Sequence, residues 1–167
     1  EIFSDEIEET IRQAKILSDL GNNVFVKIPI TFTSGASTIE VIKRLTAEGI
    51  KLNITAIFTL EQIKGILSAI DKTETILSIF AGRIYDLGMD AKIKVAEISS
   101  YVHEHSKCKL LWASPRMSYD LLSAIDTNCD IITIQENLLS KSYLFEKSPE
   151  EYSLDTVKMF FNDAISA

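Results

Sequence analysis

Apolar residues along the chain switch between two periods. Short β-branched runs at 24–28, 52–58, 75–80, 109–113 and 130–134 read as strands. The stretches between them carry apolar residues at helical spacing, as helices with one buried face do. The first helical stretch covers 5–20, with Ile7, Ile11, Ala14 and Leu17 on one face and Gly21 as its stop. Ser37-Thr38-Ile39-Glu40 is a capping-box pattern that opens a second helix, which stops at Gly49. Thr59-Leu60-Glu61-Gln62 repeats the pattern after the second strand. Residues 90–105 and 118–125 are helical in period, and 154–165 closes the chain with Val157, Phe160, Phe161 and Ile165 as its apolar face.

Strands alternating with helices imply a parallel sheet joined by helical crossovers, an α/β fold. Two architectures fit: an open doubly wound sheet, or part of a (β/α)8 barrel. A complete barrel usually needs ~250 residues, and this chain has 167. It also begins abruptly, because Glu1-Ile2-Phe3 reads as the end of a strand ahead of the first helix. No linker, repeat or low-complexity stretch interrupts residues 1–167, which therefore read as a single domain.

Composition narrows the function classes. Seventeen Lys and Arg against 24 Asp and Glu give a formal net charge of −7, which argues against binding a nucleic-acid backbone. No apolar run approaches the ~18 residues of a membrane span. Cys108 and Cys129 form neither a disulfide framework nor a metal-ligand spacing, and read as buried thiols of a reducing, cytoplasmic compartment. The sequence opens on Glu1 rather than Met and so carries no information on a leader.

The chemistry lies in polar residues at strand positions. Lys27 sits inside Val24-Phe25-Val26-Lys27-Ile28, where a charge is costly because both faces of a parallel strand are usually covered. It reads either as a solvated edge-strand lysine or as a desolvated amine that attacks a carbonyl to form a Schiff base. Asn53 and Thr55, two apart in the next strand, share one face. Ser78 lies in the third strand, with Arg83 just beyond it, and Ser114 and Arg116 follow the fourth. An arginine just past a strand end is most often a surface ion-pair partner. Two of them, each preceded by a serine, suggest a phosphate site, since guanidinium binds phosphate bidentately and hydroxyls complete the oxygen shell. His103 and His105, at i and i+2 of a helix, do not share a face, so no metal site is expected. Trp112 reads as packing between strand and helix, and no G-x-G-x-x-G or P-loop pattern is present.

The runs Val26-Lys27-Ile28-Pro29, Asn53-Ile54-Thr55, Ser78-Ile79-Phe80-Ala81-Gly82-Arg83, Ala113-Ser114-Pro115-Arg116 and Asp130-Ile131-Ile132-Thr133-Ile134 resemble, in order and spacing, the transaldolase family. The resemblance covers essentially the whole chain. It implies a (β/α)8 TIM barrel represented by its third to eighth strands, closed by a C-terminal helix. It also implies a class I aldolase mechanism with no metal or organic cofactor, sugar phosphates as donor and acceptor, and a place in the pentose phosphate pathway. Carried over, Lys27 matches the Schiff-base lysine, Glu1 the acidic residue holding the catalytic water, and Thr55 the threonine that helps position that water. Asn53 matches the asparagine on the bound ketose, and Ser78, Arg83 and Arg116 the phosphate set. Ser114 matches the serine of the segment that carries Arg116.

The departures carry information too. Pro115 replaces the usual aromatic or aliphatic residue and bears on the loop holding Arg116, whereas Ile79 for a common proline changes little. The family's acid/base aspartate on the first strand, and an asparagine on the second, have no counterpart, so the chain is expected to be a segment of a longer protein, inactive alone. Phe80 stands where members resembling fructose-6-phosphate aldolase tend to carry tyrosine, and favours transfer over release of free dihydroxyacetone. The alternatives are such an aldolase, or a non-catalytic open-sheet binding module. The C-terminal helix packs back on its own domain or reaches a neighbour, leaving a homo-oligomer open.

Overall fold

The computed structural model describes residues 1–2, 4–70 and 73–166. Its contacts gather into two compact units, Glu1–Ile134 and Gln135–Ala167. The first holds the sheet: β1 (Val26–Pro29), β2 (Leu52–Ile57), β3 (Thr75–Ile79), β4 (Lys109–Trp112) and β5 (Ile131–Ile132). All neighbours pair in parallel, and their spatial order is their order in the chain. A doubly wound sheet reverses its order at a switch point; this one does not. Right-handed crossovers that always advance to the next strand put every helix on one face, as in a barrel wall. The architecture is thus a five-stranded open sheet consistent with part of a (β/α) barrel.

The helices follow the strands: α1 (Ile7–Ser18) before β1, α2 (Ile39–Ala47), α3 (Leu60–Leu67), α4 (Ala81–Asp86), α5 (Ala91–His105) and α6 (Asp120–Asp126). The strand face turned toward them is apolar and buried through Val26, Ile28, Leu52, Ile54, Leu77, Ile79, Leu110 and Trp112. Helix residues Ile11, Ala14, Val41, Ile42, Leu45, Ile63, Val95 and Ile98 complete that core. Trp112 packs there as expected, its ring centroid 6.4 Å from that of Tyr85.

Two sequence expectations change. Of the capping boxes, the one at Thr59 forms, with Gln62 Oε1 accepting the Thr59 N–H at 3.1 Å and Thr59 Oγ1 accepting the Gln62 N–H at 3.2 Å. The one at Ser37 does not, because the helix starts one residue later and the Thr38 hydroxyl donates to the Pro29 carbonyl at 2.7 Å. Instead, Thr38 ties the start of α2 to the end of β1. In the segment expected to be an N-terminal strand, the Ile2 N–H donates to the Lys27 carbonyl at 3.2 Å, alongside β1. Among the described residues five of the six expected strands are present; Phe3, in the sixth, lies outside the described residues.

The second unit is helical: α7 (Glu136–Leu139), a 3₁₀ stretch (Ser140–Glu146) and α8 (Pro149–Ser166). The last begins five residues earlier than the apolar period indicates, on a capping box in which Ser148 Oγ accepts the Glu151 N–H at 3.1 Å and the Glu151 carboxylate accepts the Ser148 N–H at 2.9 Å. Pro149 follows at the first helical position, where its missing N–H costs nothing. Val157, Phe160, Phe161 and Ile165 are exposed. No helix among the described residues is long and apolar enough to cross a membrane.

Candidate functional site

Strand alternation sends Lys27 to the face opposite the helices, because its neighbours Val26 and Ile28 are in the core. Lys27 Nζ lies 3.9 Å from Glu1 Oε2. The two side chains are 37% and 44% exposed, so both keep contact with solvent. A pair of this length and exposure contributes under about 1 kcal/mol to stability. Its interest is chemical: an amine and a carboxylate share one strand edge, brought there by the Ile2–Lys27 backbone bond.

Asn53 is the register partner of Lys27 on β2, and Thr55 that of Pro29. The Ser78 hydroxyl of β3 donates to Asn53 Oδ1 at 2.6 Å, which fixes the carboxamide's orientation. Thr55 is 2% exposed and its Oγ1 has no hydrogen-bond partner among the described residues. Just after it the β2–β3 register shifts between Ile54 and Ile57, and Ala56 adopts φ 59°. The bulge lets Ile54 and Ile57, three apart, both enter the core, which regular alternation forbids. An alanine in left-handed backbone costs on the order of 1 kcal/mol, held here by the paired strands on either side of it.

Of the residues expected to bind phosphate, Arg83 and Arg116 lie beyond β3 and β4, whereas Ser78 sits within β3, bonded to Asn53. Phe80, directly after β3, packs at 5.9 Å between ring centroids on Phe58, and the Arg83 guanidinium lies 4.9 Å from the Phe80 centroid. Three residues on, Asp86 of the same helix pairs with Arg116, whose Nε lies 3.2 Å from Asp86 Oδ1. The Arg116 hydrogen bond, with the charges of Arg116 and Arg83, holds the Asp86 carboxyl below its usual range, against the opposing effect of burial. The two arginines thus act on one carboxylate. Arg83 forms no ion pair among the described residues. Ser114 sits at φ 61° with its carbonyl against Gly82 of α4. The Arg116 and Met117 N–H groups both donate to Asp120 Oδ2, at 2.7 and 2.9 Å.

Sequence reading brings out Glu1, Lys27, Asn53, Thr55, Ser78, Phe80, Arg83, Ser114 and Arg116, but gives no role to Gly82, Asp86 or Asp120, which arrange them. Asp120 had a local signal, four residues after Arg116 at a helix start; Asp86 had none, since its partner is 30 residues away. A cleft of about 340 Å³ beyond β1, lined by Ile2, Asp5, Pro29, Phe32 and Thr33 among others, contains none of the candidate residues. Elsewhere, His103 bonds Asp130 at 3.2 Å and His105 stacks on Tyr101 at 4.1 Å. Among the described residues no His, Cys, Asp and Glu group could hold a metal ion.

A family model described as transaldolase/fructose-6-phosphate aldolase matches residues 1–166. A protein of Listeria monocytogenes named probable transaldolase 2 is 33% identical over 142 residues, 84% of this chain and 62% of that protein. One of Bartonella henselae named probable transaldolase is 29% identical over 162 residues, 95% of this chain and 71% of its own length. Another of that name, from Carboxydothermus hydrogenoformans, is 30% identical over 151 residues, covering 90% and 67%. The chain spans less than two thirds of the Listeria relative, at 62%.

Proposed function

Because the chain belongs to the transaldolase/fructose-6-phosphate aldolase family, we propose that Lys27 is the nucleophile of a dihydroxyacetone transfer between sugar phosphates. The observation that carries this reading is Lys27 itself, in mid-strand opposite the helices, 3.9 Å from the Glu1 carboxylate and in register with Asn53. The five strands then form part of a (β/α)8 barrel, whose chemistry lies at the C-terminal ends of its strands.

The Lys27 amine adds to the C2 carbonyl of a ketose phosphate such as sedoheptulose 7-phosphate or fructose 6-phosphate. Loss of water leaves an iminium, and Glu1 with Thr55 holds that water. The C3–C4 bond then breaks, its electron pair moving into the iminium while the C4 hydroxyl gives its proton to a base. An aldose phosphate departs and a dihydroxyacetone enamine stays bound to Lys27. That enamine attacks the aldehyde of the acceptor, regaining an iminium, and water releases the new ketose and the free lysine. Asn53, oriented by Ser78, addresses the ketose hydroxyls. Arg83, Arg116 and Ser114 take the phosphate. Phe80 withholds help from water during enamine hydrolysis, which favours transfer. No step calls for a metal or organic cofactor, and a cytoplasmic enzyme of carbohydrate metabolism fits this chemistry.

The test is to incubate the full-length protein with fructose 6-phosphate, reduce with borohydride and map the adduct by peptide mass spectrometry. A dihydroxyacetone-sized adduct on Lys27, absent in Lys27→Met, is expected. A folded protein that binds the sugar phosphate yet yields no adduct overturns the reading and revives a non-catalytic binding role.

A further inference from the structure

Asp120 has no part in the chemistry above, yet it is built into the loop that carries Arg116. It opens α6 and is 1% exposed. Its Oδ2 accepts the N–H groups of two consecutive residues, Arg116 at 2.7 Å and Met117 at 2.9 Å, while Oδ1 is buried with no hydrogen-bond partner among the described residues. A carboxylate is among the most costly groups to bury, and an unpaired oxygen adds to the cost. A helix cap accepts N–H groups of its own helix; Asp120 instead reaches back to two N–H groups of the loop before α6. The loop is also fixed at its other end, where Ser114 adopts φ 61° and its carbonyl meets Gly82. The Arg116 guanidinium is held in turn by Asp86. The backbone and side chain of Arg116, and Ser114 two residues before it, are therefore each pinned by a separate contact.

We propose that Asp120 is a positioning residue that holds the Arg116 loop in its phosphate-binding conformation and so sets the preference for phosphorylated over unphosphorylated ketoses. This rests on the reading of Arg116 as a phosphate ligand. The negative charge of Asp120 itself opposes a nearby phosphate, so its contribution is the geometry it imposes. A neutral acceptor in the same place must then serve as well.

Fructose 6-phosphate and inorganic phosphate are titrated by calorimetry into the full-length protein, Asp120→Ala and Asp120→Asn. Borohydride trapping of dihydroxyacetone, which carries no phosphate, is followed on the same proteins. In Asp120→Ala the Kd for fructose 6-phosphate rises about tenfold or more, as a displaced ligand group costs, and trapping of dihydroxyacetone changes far less. Asp120→Asn, whose carbonyl accepts both N–H groups, restores binding to within about threefold. If Asp120→Ala loses the fold, Asp120→Ser, with one short acceptor, takes its place and weakens binding by an intermediate factor. Unaltered phosphate affinity in the alanine or serine variant overturns the proposal. So does an asparagine variant as weak as alanine, or dihydroxyacetone trapping that falls in parallel. Absence of trapping by the wild-type protein instead removes the Schiff-base reading, and the phosphate titrations still decide the role of Asp120.

Discussion

Gly82 stands directly against Ser114: a β-carbon on Gly82 would lie 1.5 Å from the Ser114 carbonyl oxygen and 3.1 Å from Arg116 Cγ. The glycine lets α4, which carries Arg83, touch the loop that carries Arg116. Its N–H reaches the Ala113 carbonyl at 3.4 Å, at the end of β4. Gly82→Ala must therefore push two backbones apart, and overpacking of this kind costs at least about 2 kcal/mol. Gly65 of α3 is the control, since nothing lies within 4 Å of its would-be β-carbon; Gly65→Ala gains about 0.5–1 kcal/mol from helix propensity. Urea unfolding of both variants checks this, and equal effects count against the close-approach argument.

Thr55→Val separates stability from activity. The Thr55 hydroxyl is buried without a partner, so replacing it with an isosteric methyl removes a desolvated polar group. Stability should hold or rise by up to about 1 kcal/mol. If Thr55 positions the catalytic water, turnover falls by about ten- to a hundredfold at the same time. Thermal unfolding and a transfer assay read the two effects, and a marked loss of stability argues that the hydroxyl is structural.

Period-2 alternation is enough to set Lys27, Asn53 and Ser78 opposite a buried face of Val26, Leu52 and Leu77, an imprint that β1, β2 and β3 carry and β4, continuously apolar over Leu110-Leu111-Trp112, does not. The bulge at Ala56 leaves none: alanine is a poor predictor of positive φ, and only the pairing of β2 with β3 imposes it. The six residues of α4 are too few to display a helical period, so Asp86 goes unseen beside Arg83. The early start of α8 is hidden because its capping box precedes the apolar stripe on which the period rests.

Asp130 gives an acid limb to stability. Burial raises its pKa, but the Leu110 N–H at 2.7 Å and His103 at 3.2 Å outweigh that, and the folded value lies below the ordinary 3.8. A carboxyl lowered by folding contributes stability that is present above its unfolded pKa and lost as pH falls through the folded value. Urea midpoints should therefore drop below about pH 4 more steeply in the wild type than in Asp130→Asn, which keeps an acceptor for Leu110 but does not titrate. Parallel slopes would show that other carboxyls carry the acid limb.

The two thiols should be silent in the folded state. Burial pushes Cys129 up to about 11, against a small opposing bond from Thr127, and it raises Cys108 as well. The thiolate is the reacting species. At neutral pH both cysteines should then react with a disulfide reagent only as fast as the protein opens, and at free-thiol rates once urea unfolds it. Cys108 is buried and Cys129, expected to be buried as well, only half-buried, so rapid labelling before unfolding contradicts the burial of Cys108 and the raised pKa of Cys129.

Phe80 offers the most direct handle on the outcome of the proposed reaction. Its ring is fixed between Phe58, at 5.9 Å, and the Arg83 guanidinium, at 4.9 Å, so a para-hydroxyl can be added without freeing the ring. In Phe80→Tyr the new phenol supplies a proton donor and acceptor for the water that hydrolyses the Lys27 enamine. The ratio of free dihydroxyacetone to transferred product should rise at least about tenfold, the low end of what a positioned acid–base group contributes. Lys27 labelling by borohydride should persist, because Schiff-base formation precedes the step that changes. The measurement is the product ratio with and without an acceptor aldose phosphate. A ratio equal to that of the wild type would assign the choice between transfer and hydrolysis to another residue, and would leave Phe80 as a packing platform for Arg83.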